Sequence, residues 1–444
     1  MVSAVTIAES SLLGVVGSSL RVPLVTGREQ RYVNLDYAAS APALSVVAEH
    51  VTELLPLYAS VHRGAGYASQ VSTSVYENAR AIVGEFVNAR ENDVVVFTRN
   101  TTDALGLLAS AVPGETVLLD IEHHANLLPW QRGASRIVLS GDTVAETLER
   151  LDAELASRPA ALVTVTGASN VTGETLPLRA IATIAHRRGA RLAVDGAQLV
   201  PHRRVDLQRD GIDYLAFSGH KIYAPFGAGV LVGRKDWLDV APPLLQGGGA
   251  VAEVTLHGAT WHPAPARHEA GSPNVVGVAA LARAVSEIGR LDAEKWAAHD
   301  RALRHRLITG LEALPGVHPH RIFSDSTDAV GVVSFSIDGT DARLVAAFLS
   351  AEHGIGVRDG RFCAHPLLAK LGIDGPALRA SFGVGSTDAD VDALLGALTL
   401  FLANGPVWRY ELVDGQWVPL DDARPRPDWA PALDTTAVRF GCAA

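Results

Sequence analysis

The sequence predicts an α/β protein: a mostly parallel, doubly wound sheet flanked by helices, followed by a smaller α+β unit. Two patterns point there. Short apolar runs alternate with amphipathic stretches through the first part of the chain, and this regime ends after Gly247–Gly248–Gly249 and the Pro/His-rich stretch His262–Pro273. With 444 residues and 48% apolar content, the chain can bury the core of two or three structural units.

The runs Asp93–Phe97, Thr116–Leu119, Ala161–Val165 and Arg191–Val194 are read as strands, and Tyr76–Asn88 and Leu178–Arg188 as the helices between them. In such a sheet the strand ends meet at one edge, where polar loops surround a ligand. Long amphipathic helices are expected at Val275–Leu291 and Ala293–Leu314. A strand at Val330–Ile337, a helix at Ala342–Glu352, a strand at Ala377–Phe382 and a closing helix at Asp388–Ala403 follow. The expected organisation is an N-terminal arm over 1–30, a large α/β domain over 31–285, a small α+β domain over 286–404 and an extension over 405–444. The extension is rich in Pro, Asp and Trp and is read as a wrapping arm or a partly loose segment.

Charge and cysteine usage narrow the function classes. Lys plus Arg number 38 against 48 acids, a formal balance of −10, so neither nucleic acid nor an anionic membrane is an expected partner. The two cysteines, Cys363 and Cys442, cannot build a disulfide framework and suit a reducing compartment. No secretion signal is read near the start and no apolar run is long enough to span a bilayer, so a cytoplasmic location is expected. His123–His124 and the scattered histidines lack a closing ligand set, so no metal site is expected. The Gly247–Gly249 run lacks the lysine and hydroxyl residue of a nucleotide P-loop.

The chemistry concentrates in two segments. Phe217–Ser218–Gly219–His220–Lys221 follows an apolar run and lies downstream of Val194–Asp195–Gly196–Ala197–Gln198. Each residue alone reads as a surface lysine or as an aspartate closing a strand. Their spacing, however, leaves room for one crossover that returns Lys221 to the sheet edge carrying Asp195. A confined amine with a carboxylate partner is the requirement for a Schiff base with pyridoxal 5'-phosphate, the carboxylate pairing with the pyridine nitrogen. Ser218 and His220 then reach its phosphate. The second segment, Asn100–Thr101–Thr102–Asp103–Ala104, passes from strand to helix and is either an ordinary N-cap or a phosphate-binding helix start.

Ordered matches extend these readings. Leu35–Asp36–Tyr37–Ala38–Ala39–Ser40, Val61–His62–Arg63–Gly64, Glu122–His123–His124–Ala125–Asn126, Ser169–Asn170–Val171–Thr172–Gly173, Ser218–Gly219–His220–Lys221 and Glu269–Ala270–Gly271–Ser272–Pro273–Asn274 occur in sequence. From Tyr32 to Leu402 the chain resembles the class V, fold-type I pyridoxal-phosphate enzymes, and most closely their group II cysteine desulfurase and selenocysteine lyase branch. The resemblance implies a catalytic His123 stacked on the cofactor ring and Gln198 on its hydroxyl oxygen. It places Thr101, Thr102, Ser218 and His220 on the phosphate. Ser272 would reach the phosphate of a partner subunit, so a homodimer is implied. For an amino-acid substrate it implies Asn170 near the carboxylate and Arg379 as its clamp, with Arg358, His62 and Arg63 also in contact.

The matching segment Val357–Arg358–Asp359–Gly360–Arg361–Phe362–Cys363–Ala364–His365–Pro366 carries the family's catalytic cysteine. Cys363 would attack the substrate's sulfur or selenium, retain it as a persulfide or its selenium counterpart, and release alanine; a sulfur-acceptor protein is then an allowed partner. A small, unreactive thiol is the plain alternative. Asp359 stands where a threonine is common, and Arg361 and Phe362 replace a pair that is often histidine. A class V C–S lyase acting by β-elimination, an epimerase or an aminotransferase is therefore the competing reading, needing Lys221 but not Cys363. Asp359 opposes thiolate formation and Arg361 favours it, and the sequence leaves open which lies nearer. Cys442 is read as incidental.

Overall fold

A computed structural model describes residues 11–430 of the chain, so Cys442 lies outside the described residues. Its centre is a seven-stranded sheet made of β1 (Asp93–Thr98), β2 (Thr116–Leu119), β3 (Ser135–Val138), β4 (Leu162–Thr166), β5 (Arg191–Asp195), β6 (Tyr214–Ser218) and β7 (Gly229–Arg234). The order across the sheet is β1-β7-β6-β5-β4-β2-β3. Only β7 runs against its neighbours β1 and β6. Two reversals cancel, so β1 points the same way as the parallel strands and all six end at one edge.

Alternate residues of each strand enter different cores, as the two-residue period requires. Val95 and Phe97 of β1, with Val194 of β5 and Phe217 of β6, pack in one apolar cluster; Val96, Ala193 and Ala216 pack in another on the opposite face. The absence of polar alternation in these runs is the trace of burial on both faces. Four expected strands and the helix Leu178–Arg187 form within a residue or so of their expected limits, whereas the expected Tyr76–Asn88 helix begins earlier and spans Tyr67–Phe86.

Beyond the helix Val275–Gly289, a second sheet of β8 (Val317–Pro319), β9 (Val332–Ile337), β10 (Arg358–Gly360) and β11 (Ala377–Ser381) runs antiparallel in the order β8-β9-β11-β10. It shares a core with Leu303 and Leu307 of the helix Ala293–Glu312, Phe348 of the helix Ala342–His353 and Leu398 of Asp388–Asn404. The completely buried Phe335 and Phe382 each gain about 2–3 kcal/mol from burial there. A buried ionic link ties this unit to the first sheet: His202 Nδ1 lies 2.8 Å from Asp300 Oδ2, which also accepts from Arg203 at 3.1 Å.

The tail contains structure that its lack of periodicity hid. Strands Tyr410–Val413 and Gln416–Pro419 pair as a hairpin on the helix Ala342–His353. Glu352 accepts from the Val407 and Trp408 amides and from Tyr410 Oη, while Trp417 Nε1 donates to Asp341 at 2.9 Å. Among the described residues, no helix is long and apolar enough to cross a membrane.

Candidate active site

The edge where the parallel strands end encloses a cavity of about 290 Å³. Four neighbouring strands supply it: His123 follows β2, Asn170 follows β4, Asp195 closes β5, and Ser218 closes β6 just before His220 and Lys221. Thr101 and Thr102 open the helix Thr101–Ala111 behind β1 and line the same space. The second unit adds Arg358, Phe362, Cys363 and Arg379. The expected crossover between Asp195 and Lys221 is present, through the short helix Leu207–Asp210 and β6.

One group of lining residues is a set of anion donors. Asn100 is the N-cap and accepts from the Asp103 amide at 3.0 Å, so the capping reading of this segment holds; the helix start also faces the cavity. Thr101 Oγ1 lies 2.7 Å from Ser218 Oγ, which accepts from the Thr101 amide at 2.8 Å. Gly229 makes this junction fit: a Cβ there would sit 2.5 Å from Asn100 Cα.

Asp195 is buried and accepts from the Ala197 amide at 2.9 Å. Burial pushes its carboxyl above the ordinary value, opposed by that amide and by the Lys221 charge. Burial likewise lowers Lys221 to about 8; Asp195, Cys363 and Asp36 favour its ammonium form, while Arg379 opposes it. His123 is lowered to about 3 by burial and by the Lys221 charge, so its ring is neutral. Its Nδ1 accepts from the Ala125 amide at 3.0 Å, which leaves the ring proton on Nε2. Gln198 donates through Nε2 to Ala38 O at 2.8 Å. Small side chains at Ala38, Ala39, Ala125, Ala168 and Ala197 also line the cavity. Anion donors, a buried carboxylate and an amine lining one cavity fit a planar, phosphorylated heterocyclic aldehyde.

The register of β10 and β11 decides what the second unit presents. Arg358 stands directly opposite Arg379, so both arginines share the cavity face. Asp359 therefore points the other way; burial raises its carboxyl above the ordinary value, opposed by the Arg358 and Arg343 charges, and neither it nor Arg361 lines the cavity. Neither of the two charges weighed from the sequence lines the cavity, and the cation of this segment that does is Arg358. Two like charges facing each other across a ladder oppose folding unless an anion joins them. Arg379 donates to Asn170 O at 3.0 Å and to Asp36 Oδ1 at 3.1 Å, yet its buried Nε has no hydrogen-bond partner. Leaving such a group unsatisfied costs about 1–3 kcal/mol. Asp36 already supplies an anion to the arginine pair, so a carboxylate at the Nε edge would satisfy the donor that remains.

Cys363 sits in a strained loop. Phe362 and Cys363 have φ of +53° and +52°, a left-handed conformation costing about 1–2 kcal/mol for each non-glycine residue. Asn170 Nδ2 donates to Phe362 O at 2.7 Å, and the His124 amide donates to Cys363 O at 2.9 Å. The loop is therefore fastened to two segments of the first unit.

Three expected residues lie elsewhere. Ser272 is exposed and does not line this cavity; His62 and Arg63 are exposed and line a separate pocket with Tyr76, Arg80, His262 and Glu269. The cause is their position on loops beside the helix Tyr67–Phe86, away from the β-strand ends. Asp36 and Phe362 were assigned no contact from sequence. Asp36 stood inside a quoted motif, and only the fold shows that it faces Arg379.

Comparisons with known proteins agree on the family. Residues 33–394 match the Aminotransferase class-V family. A cysteine desulfurase of Dickeya dadantii (strain 3937) is 37% identical over 390 residues, covering 84% of this chain and 92% of the relative. One from Escherichia coli (strain K12 / DH10B) is 36% identical over 383 residues, with 82% and 92% covered. The crystal structure of the E. coli cysteine desulfurase CsdA in its S-sulfonic acid form superposes with a TM-score of 0.75 at 35% identity, covering 84% of this chain and 95% of that one. The apo structure of a cysteine desulfurase from Thermococcus onnurineus NA1 gives 0.77 at 33% identity with the same coverage. The chain belongs to the class-V aminotransferase family.

Proposed function

We propose that this chain is a pyridoxal-phosphate-dependent cysteine desulfurase that moves the sulfur of L-cysteine, or the selenium of L-selenocysteine, onto Cys363 and releases L-alanine. The observation that carries the proposal is one cavity lined by Lys221, Asp195, Cys363 and the Arg358–Arg379 pair. Relatives bearing that activity's name support it.

Lys221 would hold the cofactor, with Asp195 at the ring nitrogen, His123 against the ring, Gln198 at the ring oxygen, and Thr101, Thr102, Ser218 and His220 at the phosphate. When bound, pyridoxal phosphate stabilises negative charge at a substrate's Cα. Arg379 takes the substrate carboxylate on the edge that includes its unpartnered Nε, and Asn170 and Arg358 help to orient it. Lys221 Nζ, once neutral, removes the Cα proton. Cys363 Sγ, as thiolate, forms a bond to the substrate sulfur while the carbon–sulfur bond breaks. The carbon takes a proton and leaves as alanine; Cys363 keeps the transferred sulfur as a persulfide, so atoms and electrons balance without an external oxidant. We infer a homodimer in which the exposed Ser272 reaches the partner's phosphate and His62 and Arg63 reach substrate from the rim, a cytoplasmic setting, and a sulfur-acceptor protein for the persulfide.

Incubating the cofactor-loaded protein with L-cysteine is expected to yield alanine and protein-bound persulfide in equal amounts during the first turnover. Pyruvate and sulfide in place of alanine would identify a β-elimination enzyme instead. Asp195→Asn is expected to lower the turnover rate by roughly 10²–10³ while the Lys221-dependent absorbance band persists at saturating cofactor, because a neutral amide no longer favours the charged ring nitrogen. Equal turnover in the two proteins would remove Asp195 from that role.

A further inference from the structure

We propose that Phe362 is a positioning residue for the substrate carboxylate, its ring and its carbonyl together holding the open edge of Arg379 towards the cavity. This deepens the desulfurase reading and rests on it for the identity of the substrate.

The conformation of Phe362 asks for an explanation. A φ of +53° suits glycine or asparagine, and a bulky aromatic residue adopts it only where its surroundings compensate. Here the ring is 6% exposed and lines the cavity, with the Arg379 guanidinium carbon 5.1 Å from its centroid. A cation against an aromatic face is attracted by the ring's electron distribution, more so where water is excluded. The backbone of the same residue closes a triangle. Asn170 Nδ2 donates to Phe362 O at 2.7 Å, and Asn170 O accepts from Arg379 Nη1 at 3.0 Å. The arginine is thus held on its face by the ring and on one edge by a residue that Phe362 itself orients.

Two forces act against that placement. Arg358 lies directly across the ladder and repels Arg379, while Asp36 draws Arg379 Nη2 towards itself at 3.1 Å. Without the ring, the guanidinium can tilt towards Asp36, water reaches Nε, and the carboxylate meets a misaligned, hydrated clamp. The cost falls on binding, because Cys363 and Lys221 keep their own supports.

The test compares Phe362→Leu and Phe362→Tyr in the cofactor-loaded enzyme, with binding of L-alanine and of L-alanine methyl ester measured by calorimetry. Phe362→Leu is expected to weaken L-alanine about tenfold and to leave the ester, which has no carboxylate, within about twofold; Phe362→Tyr restores L-alanine. The KM for L-cysteine rises by the same factor as L-alanine binding falls, with kcat held within about twofold. Equal weakening of acid and ester would mean a general structural role and overturn the proposal, as would unchanged L-alanine binding. If Phe362→Leu is insoluble, Phe362→Met carries the same comparison. Failure of the unaltered enzyme to form alanine from L-cysteine would sink the desulfurase reading, whereas the contrast between acid and ester still judges Phe362.

Discussion

Lys221→Ala is expected to give a folded, colourless protein whose alanine release from L-cysteine falls by roughly four orders of magnitude. Under the proposed function the variant would lose two roles at once: the covalent anchor for the cofactor and the base at the substrate Cα. Removing the side chain should leave the fold intact, since Lys221 stands at the rim of the apolar cores rather than in them. The lowered ammonium supplies a second, independent expectation. Burial brings Lys221 to about 8, so the neutral amine grows about tenfold per pH unit below that value and levels off above it. The rate at which cofactor-free protein captures pyridoxal phosphate should follow the same curve, rising with pH and flattening near 8. An ordinary, solvated lysine would keep the rate climbing towards pH 10. A Lys221→Ala protein that still shows the absorbance band would mean that another amine holds the cofactor.

How far the sequence anticipated this arrangement depended on the physical origin of each feature. Val95, Phe97 and Val194 were legible as strand residues because a sheet covered on both faces needs continuous apolar runs. Lys221 and Asp195 were legible because a single crossover has a narrow range of lengths and a fixed hand, which returns both to one edge. The orientation of Arg358 and Asp359 was not, since a slip of one residue in β10 would exchange the cation and the carboxylate across the sheet. Phe362 was hidden for a related reason: its left-handed backbone follows from bonds made by Asn170 and His124, nearly two hundred residues or more away, against the preference of the residue itself. The tail hairpin did have a local signal, the Asp414–Gly415 pair that forms its two-residue turn, but its seating on Glu352 and Asp341 is a long-range contact that the tail's own residues do not reveal.

Cys363→Ala is expected to abolish the protein-bound persulfide and to lower alanine formation by about 10³-fold or more, with cofactor absorbance and thermal stability nearly unchanged. The separation follows from geometry. The thiol belongs to the second unit, and the residues proposed to hold the cofactor come from the edge of the first sheet. The loop conformation is held by backbone bonds to Asn170 and His124 that alanine preserves. Alanine at a φ of +52° is no more strained than cysteine, so the loop has no reason to rearrange. Mass spectrometry after one turnover with L-cysteine decides the matter. Persulfide on the variant would place the nucleophile elsewhere in the chain. Persulfide lost with alanine formation retained would show that the carbon–sulfur bond breaks without help from this thiol, which would detach Cys363 from the reaction while leaving Lys221 and Asp195 in place.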